Sequence, residues 1–99
     1  MRARNVAIVQ ARMGSTRFPG KMLTKLGEFP LIEWVLRRLL MAKEVDQVVL
    51  ATSDTVKDDA LADLAIQLKV LVFRGSETDV LARFVGAAEV AGATNVIRV

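Results

Sequence analysis

The 99-residue sequence contains no cysteine and no histidine. Disulfides, thiol nucleophiles, zinc sites and imidazole general bases are therefore excluded within this chain. Aromatic residues are also few, with four phenylalanines, one tryptophan and no tyrosine, and none alternates with a basic stripe as base stacking requires. The net charge is only +3, so we expect no nucleic-acid partner. Any chemistry must rest on lysine, arginine, carboxylate, hydroxyl and backbone groups, together with a hard metal ion.

Long hydrophobic runs are missing too. No apolar stretch approaches the roughly 18 residues that a membrane helix needs. Near the amino terminus, Gln10 and Arg12 interrupt the apolar run before it reaches the length of a signal-peptide core. We therefore expect a cytoplasmic protein that makes no membrane contact. The composition is nevertheless 53% hydrophobic, which excludes disorder and predicts a packed core within at most one domain.

Four short, valine-rich runs recur along the chain, at residues 6–9, 48–51, 70–73 and 96–99. They are continuous rather than alternating, which is typical of parallel strands that are buried on both faces. Amphipathic segments separate them, so the element order is β-α-β-α-β-α-β. This order predicts an α/β fold, half of a doubly wound sheet with strand order 3-2-1-4 and a ligand at the carboxyl ends of the strands.

The three helices have recognisable boundaries. The first follows Pro30, a residue that the first turn of a helix tolerates. The second runs from about residue 56 to 68, with Thr55 and Asp58 in the pattern of a capping box. The third follows Ser76, with Asp79 completing a second capping box, and Gly92 is its predicted C-cap.

The faces of these helices can be predicted as well. On the first helix, Trp34 is expected to pack at the edge of the apolar stripe, and a polar face points to solvent: Glu33, Arg37 and Arg38. On the third helix, Asp79 and Arg83 could form an i, i+4 ion pair. Its inward-facing stripe is expected to consist of Val80, Leu81, Phe84, Val85 and Ala88.

The segment ARMGSTRFPGK, residues 11–21, follows the first strand directly and carries the strongest functional signal. Two glycines allow close approach of the backbone, hydroxyl groups can donate, and three cations can neutralise phosphate charge. We interpret it as a cradle for the phosphates of a nucleoside triphosphate; a solvated basic loop is the alternative. Its key residues are Gly14, Ser15, Thr16, Gly20, Arg12, Arg17 and Lys21.

Two familiar phosphate motifs do not fit this segment. A P-loop needs four residues between its glycines and a serine or threonine after its lysine, whereas five residues separate Gly14 from Gly20 and Met22 follows Lys21. The dinucleotide fingerprint G-x-G-x-x-G is absent too.

The pattern ARMGSTRFPGK, followed by LGEFPLIEWVLRRL, resembles the cytidylyltransferase family that makes CMP-activated acidic sugars. It is most similar to the branch of spore coat polysaccharide biosynthesis and acylneuraminate cytidylyltransferase-like proteins. The resemblance continues through VDQVVLATSD and FRGSETDVLARF and covers all 99 residues. It implies a Rossmann-like, three-layer fold of the nucleotide-diphospho-sugar transferase type, of which residues 1–99 are the nucleotide-binding amino-terminal part.

The resemblance also implies roles for individual residues. In the family this loop binds the phosphates of CTP, which assigns phosphate contacts to Arg12, Ser15, Arg17 and Lys21, and it places the backbone of Ala11 near the base. Arg12, Arg17 and Lys21 would stabilise the charge on the leaving pyrophosphate, which makes Arg12 and Lys21 the candidate catalytic residues.

Two further strand ends are candidates for contacts with the nucleotide. For Ser53, contact with base or ribose stands beside simple helix capping by Ser53, Asp54 or Thr55. For the loop after the third strand, the resemblance favours Arg74 and Ser76 as nucleoside contacts, although Ser76 also has an explanation as a cap.

The implied reaction transfers CMP from CTP to a hydroxyl of an acidic sugar and releases pyrophosphate. In the family, a glycine-aspartate turn after the strand matching residues 96–99 holds magnesium, so we expect the magnesium carboxylate beyond Val99 and the 99 residues alone to be inactive. The apolar strand 96–99 predicts self-association into a homo-oligomer. Two alternatives stay open, namely a non-catalytic nucleotide-binding or oligomerisation module and a nucleotidyltransferase that uses another nucleoside triphosphate.

Overall fold

The computed structural model describes residues 4–13 and 21–99, except for the side chain of Lys21. Four parallel strands form the main sheet: β1 (Asn5–Gln10), β4 (Gln47–Ser53), β5 (Leu71–Gly75) and β6 (Asn95–Arg98). Their order across the sheet is β5-β4-β1-β6, which confirms the predicted order 3-2-1-4. A small antiparallel hairpin precedes the first helix and consists of β2 (Lys25–Leu26) and β3 (Phe29–Pro30).

Three helices cover the sheet: α1 (Leu31–Leu40), α2 (Asp59–Gln67) and α3 (Val80–Ala91). Short 3-10 helices at Lys21–Leu23 and Val56–Asp58 precede α1 and α2. Alternate residues of the strands pack into two separate cores. Val48 and Leu50 of β4 pack with α1 and α2, whereas Val49 and Ala51 pack with α3. The sheet is therefore buried on both faces, which explains the continuous valine-rich runs.

The helix boundaries agree with those predicted from the sequence, but one of the predicted caps does not form. Pro30 precedes α1, and Gly92 closes α3 with a left-handed backbone, φ 64° and ψ 39°. The prediction of a capping box formed by Thr55 and Asp58 is wrong, because Thr55 makes no side-chain cap hydrogen bond. The carboxylate of Asp58 is instead bonded to Met13 and Ser53. Asp58 therefore binds the backbone of the loop after β1 and the side chain at the end of β4, and it does not pair with Thr55 as a cap.

The start of α3 differs slightly from the predicted capping box. The Ser76 hydroxyl accepts from the backbone N–H of Asp79 at 3.1 Å, but the helix begins only at Val80. Asp79 is the residue that caps it, since its carboxylate accepts from the N–H of Ala82 at 3.0 Å.

The predicted inward face of α3 is correct only in part, because Phe84 and Ala88 pack against the core whereas Val80, Leu81 and Val85 are exposed. The buried residues of this helix are Arg83, Ala87 and Ala91. Small residues face the sheet because the ring of Phe73 already fills the space there. A Cβ atom added at Gly86 would lie 2.8 Å from Cε1 of that ring. The helix therefore turns its small side chains inward, and Phe84 and Ala88 are only partly buried.

The predicted solvent face of α1 is correct for Arg37 and Arg38, which are exposed, and wrong for Glu33. Glu33 is buried and pairs with Arg37, whose Nη2 lies 2.6 Å from its carboxylate. The Arg37 guanidinium also lies 4.2 Å from the centre of the Phe29 ring. The hairpin before α1 covers this side of the helix, and periodicity alone does not reveal such a cover.

Trp34 lies at the edge of the same hairpin, in line with the prediction. Its ring makes an edge-on contact with Phe29 at 5.0 Å between ring centres. The indole Nε1 donates to the carbonyl of Leu26 at 2.7 Å.

Candidate functional site

The carboxyl ends of β1, β4 and β5 lie side by side and are joined by backbone hydrogen bonds. Ala11, just after β1, donates to the carbonyl of Ala51 at 3.2 Å, and Asp54, just after β4, donates to the carbonyl of Gly75 at 2.9 Å. The loops that follow these three strands therefore meet at one edge of the sheet. This is the edge at which α/β folds bind their ligands.

Arg12 lies at this edge, as predicted. Its Nη1 donates to the backbone carbonyl of Glu77 at 3.3 Å, which connects the loop after β1 to the turn after β5. Ala11 is buried beside it. The predicted phosphate contacts Gly14, Ser15 and Arg17 lie outside the described residues. For Lys21 the structure gives only the backbone, which begins a 3-10 helix.

Asp58 is a buried carboxylate at the same edge, and its role was not predicted. Its Oδ1 accepts from the N–H of Met13 at 2.7 Å, and its Oδ2 accepts from the hydroxyl of Ser53. Only 2% of Asp58 is exposed. Asp58 therefore ties the first residues of the loop after β1 to the end of β4.

Ser53, a candidate for contact with base or ribose, is fully buried. Besides its bond to Asp58, its hydroxyl lies 2.9 Å from the hydroxyl of Thr55 and accepts from the N–H of Thr55 at 3.3 Å. Its hydrogen-bonding capacity is thus used within the protein, and it caps no helix.

Arg74 is brought to the edge, but its guanidinium is occupied. Nε donates to the carbonyl of Ser53 at 2.9 Å, Nη2 donates to the carbonyl of Thr55 at 2.7 Å, and Nη1 lies 2.8 Å from the carboxylate of Asp59. A nucleoside contact by Arg74 would compete with these bonds. Ser76 is exposed, although its hydroxyl accepts from the N–H groups of Thr78 and Asp79 at 3.3 and 3.1 Å.

Arg83 is the second residue that the sequence did not place at this edge. It makes no pair with Asp79; its Nη2 donates to the side-chain carbonyl of Gln10 at 3.0 Å, and its Nη1 donates to the carbonyl of Ser76 at 3.0 Å. Burial lowers the pKa of Arg83, the nearby Arg12 guanidinium lowers it further, and the Asp58 carboxylate opposes both effects.

A sequence signal for Arg83 exists in retrospect. Arg83, Ala87 and Ala91 are spaced four residues apart and share the buried face of α3. An arginine that continues a stripe of alanines indicates a buried cation, because small residues mark the face that packs most closely on the sheet.

The described residues do not form a metal site by themselves. Within residues 4–13 and 21–99, no group of three or more acidic side chains is placed to hold a metal ion. Magnesium therefore stays a prediction. Over the same residues, none of the helices has the length and apolar character that crossing a bilayer demands.

A parallel sheet of order 3-2-1-4, with arginines gathered at its carboxyl edge, defines a nucleotide-binding type of α/β fold. The particular family follows from comparison with known proteins. The family model for cytidylyltransferases matches residues 6–99, and the chain belongs to this family, whose members are nucleotidyltransferases.

Individual relatives agree with this assignment. The chain is 44% identical over 95 residues to the spore coat polysaccharide biosynthesis protein SpsF of Bacillus subtilis, covering 92% of this chain and 40% of that protein. It matches the structure of a cytidylyltransferase from Leptospira borgpetersenii with a TM-score of 0.92 and 34% identity, covering 99% of this chain and 41% of that one.

A second solved structure is CMP:2-keto-3-deoxy-manno-octonic acid synthetase in complex with CTP. It matches with a TM-score of 0.73 and 27% identity, covering 98% of this chain and 39% of that one. The chain thus spans about two-fifths of the length of the relatives it matches.

Proposed function

We propose that the full-length protein transfers CMP from CTP to a hydroxyl of an acidic sugar and releases pyrophosphate, and that residues 1–99 are its nucleotide-binding part. The observation that carries this proposal is the position of Arg12 at the carboxyl edge of the sheet, where it connects the loop after β1 to the turn after β5, in a chain that matches the family model of cytidylyltransferases. The CTP complex of a structural neighbour supports the choice of nucleotide.

In this reaction the sugar hydroxyl attacks the α-phosphorus of CTP. A new P–O bond forms, the bond to the pyrophosphate oxygen breaks, and the hydroxyl proton is released. Catalysis of such a transfer depends on positioning and on neutralising the charge that builds on the leaving group. A chain without histidine and cysteine can supply both through arginine and lysine. We assign this task to Arg12, Arg17 and Lys21, with Ser15 and the backbone of Gly14 as further phosphate donors.

The edge of the sheet would bind the nucleoside. The backbone at Ala11 is proposed to lie near the base, and Ser53, Arg74 and Ser76 stay candidates for its surroundings. Ser53 and Arg74 are already hydrogen-bonded within the protein. We therefore expect them to affect the nucleoside site indirectly, by holding the backbone of the loop after β4 in place. Magnesium would supply additional charge neutralisation when bound.

The proposal is tested by titrating the full-length protein with CTP, UTP, GTP and ATP in the presence of magnesium, followed by pyrophosphate release with acidic sugars. CTP is expected to bind at least about tenfold more tightly than the others, a difference of roughly 1.4 kcal/mol. If another nucleotide binds most tightly, that nucleotide replaces CTP as the proposed substrate. Binding of CTP without pyrophosphate release for any acidic sugar would favour a non-catalytic module.

A matched pair of variants tests the phosphate loop. Lys21→Ala is expected to lower kcat/KM about a hundredfold, equivalent to roughly 3 kcal/mol of transition-state stabilisation. Arg38→Ala removes a cation from the exposed face of α1 and should leave the rate unchanged. Equal effects of the two substitutions would refute the assignment of the loop.

A further inference from the structure

Arg83 is an unusual residue for the buried face of a helix. Only 3% of it is exposed, although arginine is almost never fully buried without partners. Its acceptors are neutral oxygens: the side-chain carbonyl of Gln10 and the backbone carbonyls of Ser76 and Glu77. Its Nε has no hydrogen-bond partner among the described residues. Burying a cation without a paired anion costs free energy. We therefore expect a role of Arg83 besides packing, which follows from the contacts that it makes.

The contacts of Arg83 join two strand ends that the backbone does not join directly. Gln10 is the last residue of β1, and residues 76 and 77 follow β5. In the sheet β4 lies between these two strands. The forked guanidinium spans the gap, since its Nη2 reaches Gln10 at 3.0 Å while its Nη1 reaches the Ser76 and Glu77 carbonyls at 3.0 and 3.4 Å. A lysine, with a single ammonium group, could not span it in the same way.

Arg12 and Arg83 share one acceptor. Both donate through Nη1 to the backbone carbonyl of Glu77, at 3.3 Å for Arg12 and 3.4 Å for Arg83. Two guanidinium groups that converge on one carbonyl repel each other, and an anion bound beside them would relieve that repulsion. Because only 3% of Arg83 is exposed, we expect its influence on such an anion to pass through Arg12 and through the turn that both residues hold.

We propose that Arg83 is a positioning residue of the nucleotide site. It fixes the turn at residues 76–77 against the end of β1, and so determines where the guanidinium of Arg12 lies relative to the phosphates. This inference rests on the proposed function, because it takes Arg12 to be a phosphate contact. Arg83 contributes orientation and local positive charge, and it makes no contact with the nucleotide.

A double-mutant cycle tests this role, with CTP and cytidine as the probes and the full-length protein as the sample. Arg83→Gln is expected to weaken CTP binding about tenfold, the coupling expected of residues that share a partner. Cytidine binding should change by less than about twofold, because cytidine has no phosphates for Arg12 to contact. In the Arg12→Ala background, Arg83→Gln should have little further effect on CTP. A merely structural role would instead weaken both ligands, and by the same factor in both backgrounds.

Two further variants keep the result unambiguous. Arg38→Gln removes an exposed arginine from α1 and should leave both affinities unchanged. If Arg83→Gln does not fold, Gln10→Ala tests the positioning role instead, because it removes only the acceptor of Arg83 Nη2. We expect it to weaken CTP binding about threefold in the wild-type background and not in the Arg12→Ala background.

The outcomes separate this inference from the proposed function. If wild-type protein binds CTP and Arg12→Ala weakens that binding, but Arg83→Gln and Gln10→Ala do not, the positioning role is refuted and the function stands. Equal effects of Arg83→Gln in both backgrounds also refute the role. If the wild-type protein binds no CTP, both proposals fall.

Discussion

Replacing Asp58 by alanine should destabilise the protein more than replacing Asp63, an exposed acidic residue of the following helix α2. The carboxylate of Asp58 is buried and accepts two hydrogen bonds, from the N–H of Met13 at 2.7 Å and from the Ser53 hydroxyl. In Asp58→Ala the N–H of Met13 loses its acceptor. The hydroxyl of Ser53 is affected less, because the Thr55 hydroxyl lies 2.9 Å away as an alternative partner.

The magnitude follows from these two losses. A hydrogen bond to a charged group contributes about 1.5–3 kcal/mol, and a buried donor left unpaired costs about 1–3 kcal/mol. With Ser53 partly compensated, we expect Asp58→Ala to reduce the free energy of unfolding by about 3 kcal/mol. Asp58→Asn should cost only about 1 kcal/mol, because its amide oxygen can accept from Met13 and its NH₂ can donate to Ser53.

Urea unfolding of the full-length protein measures these differences, with Asp63→Ala as the control because Asp63 is exposed on α2. Since a longer protein can unfold in several steps, hydrogen exchange at the Met13 amide gives a local measure. Its exchange should accelerate about a hundredfold in Asp58→Ala, corresponding to roughly 2.7 kcal/mol of lost protection. If Asp58→Ala exchanges like Asp63→Ala at this amide, the carboxylate does not hold the loop and the reasoning is wrong.

Two further predictions concern α3 and β6. Gly86→Ala should destabilise the protein by about 1–2 kcal/mol in urea unfolding despite the better helix propensity of alanine, because the added Cβ would lie 2.8 Å from Cε1 of Phe73. In a Phe73→Leu background the same change should be neutral or stabilising, and a stabilised single variant would contradict the packing. A polypeptide of residues 1–99 should self-associate through β6, which lies at the edge of the sheet and is exposed along its length. Light scattering that shows a monomer at about 100 µM would rule this out.

The fold was predictable from the sequence because its main signals are local and repeated. Each valine-rich run is long enough for one strand, the helices between the runs predict parallel crossover connections, and the strand order is that of half a doubly wound sheet. The second helix illustrates this, since Leu61 and Ala65 are four residues apart, share one helix face and are both buried. No long-range information is needed for such a result.

The roles of Asp58 and Arg83 were not predictable for the opposite reason. Each residue had a plausible local partner, Thr55 for one and Asp79 for the other, whereas its actual partner lies far along the chain. Met13 is 45 residues from Asp58, and Gln10 is 73 residues from Arg83. When a charged residue has a plausible local partner, the sequence does not reveal its long-range contact, so these two contacts at the carboxyl edge of the sheet were not predicted.

The contacts at the carboxyl edge divide the arginines of this protein into two kinds. Arg74 and Arg83 donate to backbone carbonyls of the neighbouring loops and also bind the side chains of Asp59 and Gln10, so their main effect is to hold those loops in place. Within the part of the chain that the structure describes, the Arg12 guanidinium is bonded through Nη1 to the Glu77 carbonyl. Because a guanidinium has five N–H donors in a fixed fork, Arg12 keeps the capacity to bind an additional anion. Under the proposed positioning role, the orientation of Arg12 depends on the turn that Arg83 holds, and we expect phosphate binding to depend on an arginine that does not contact the phosphate.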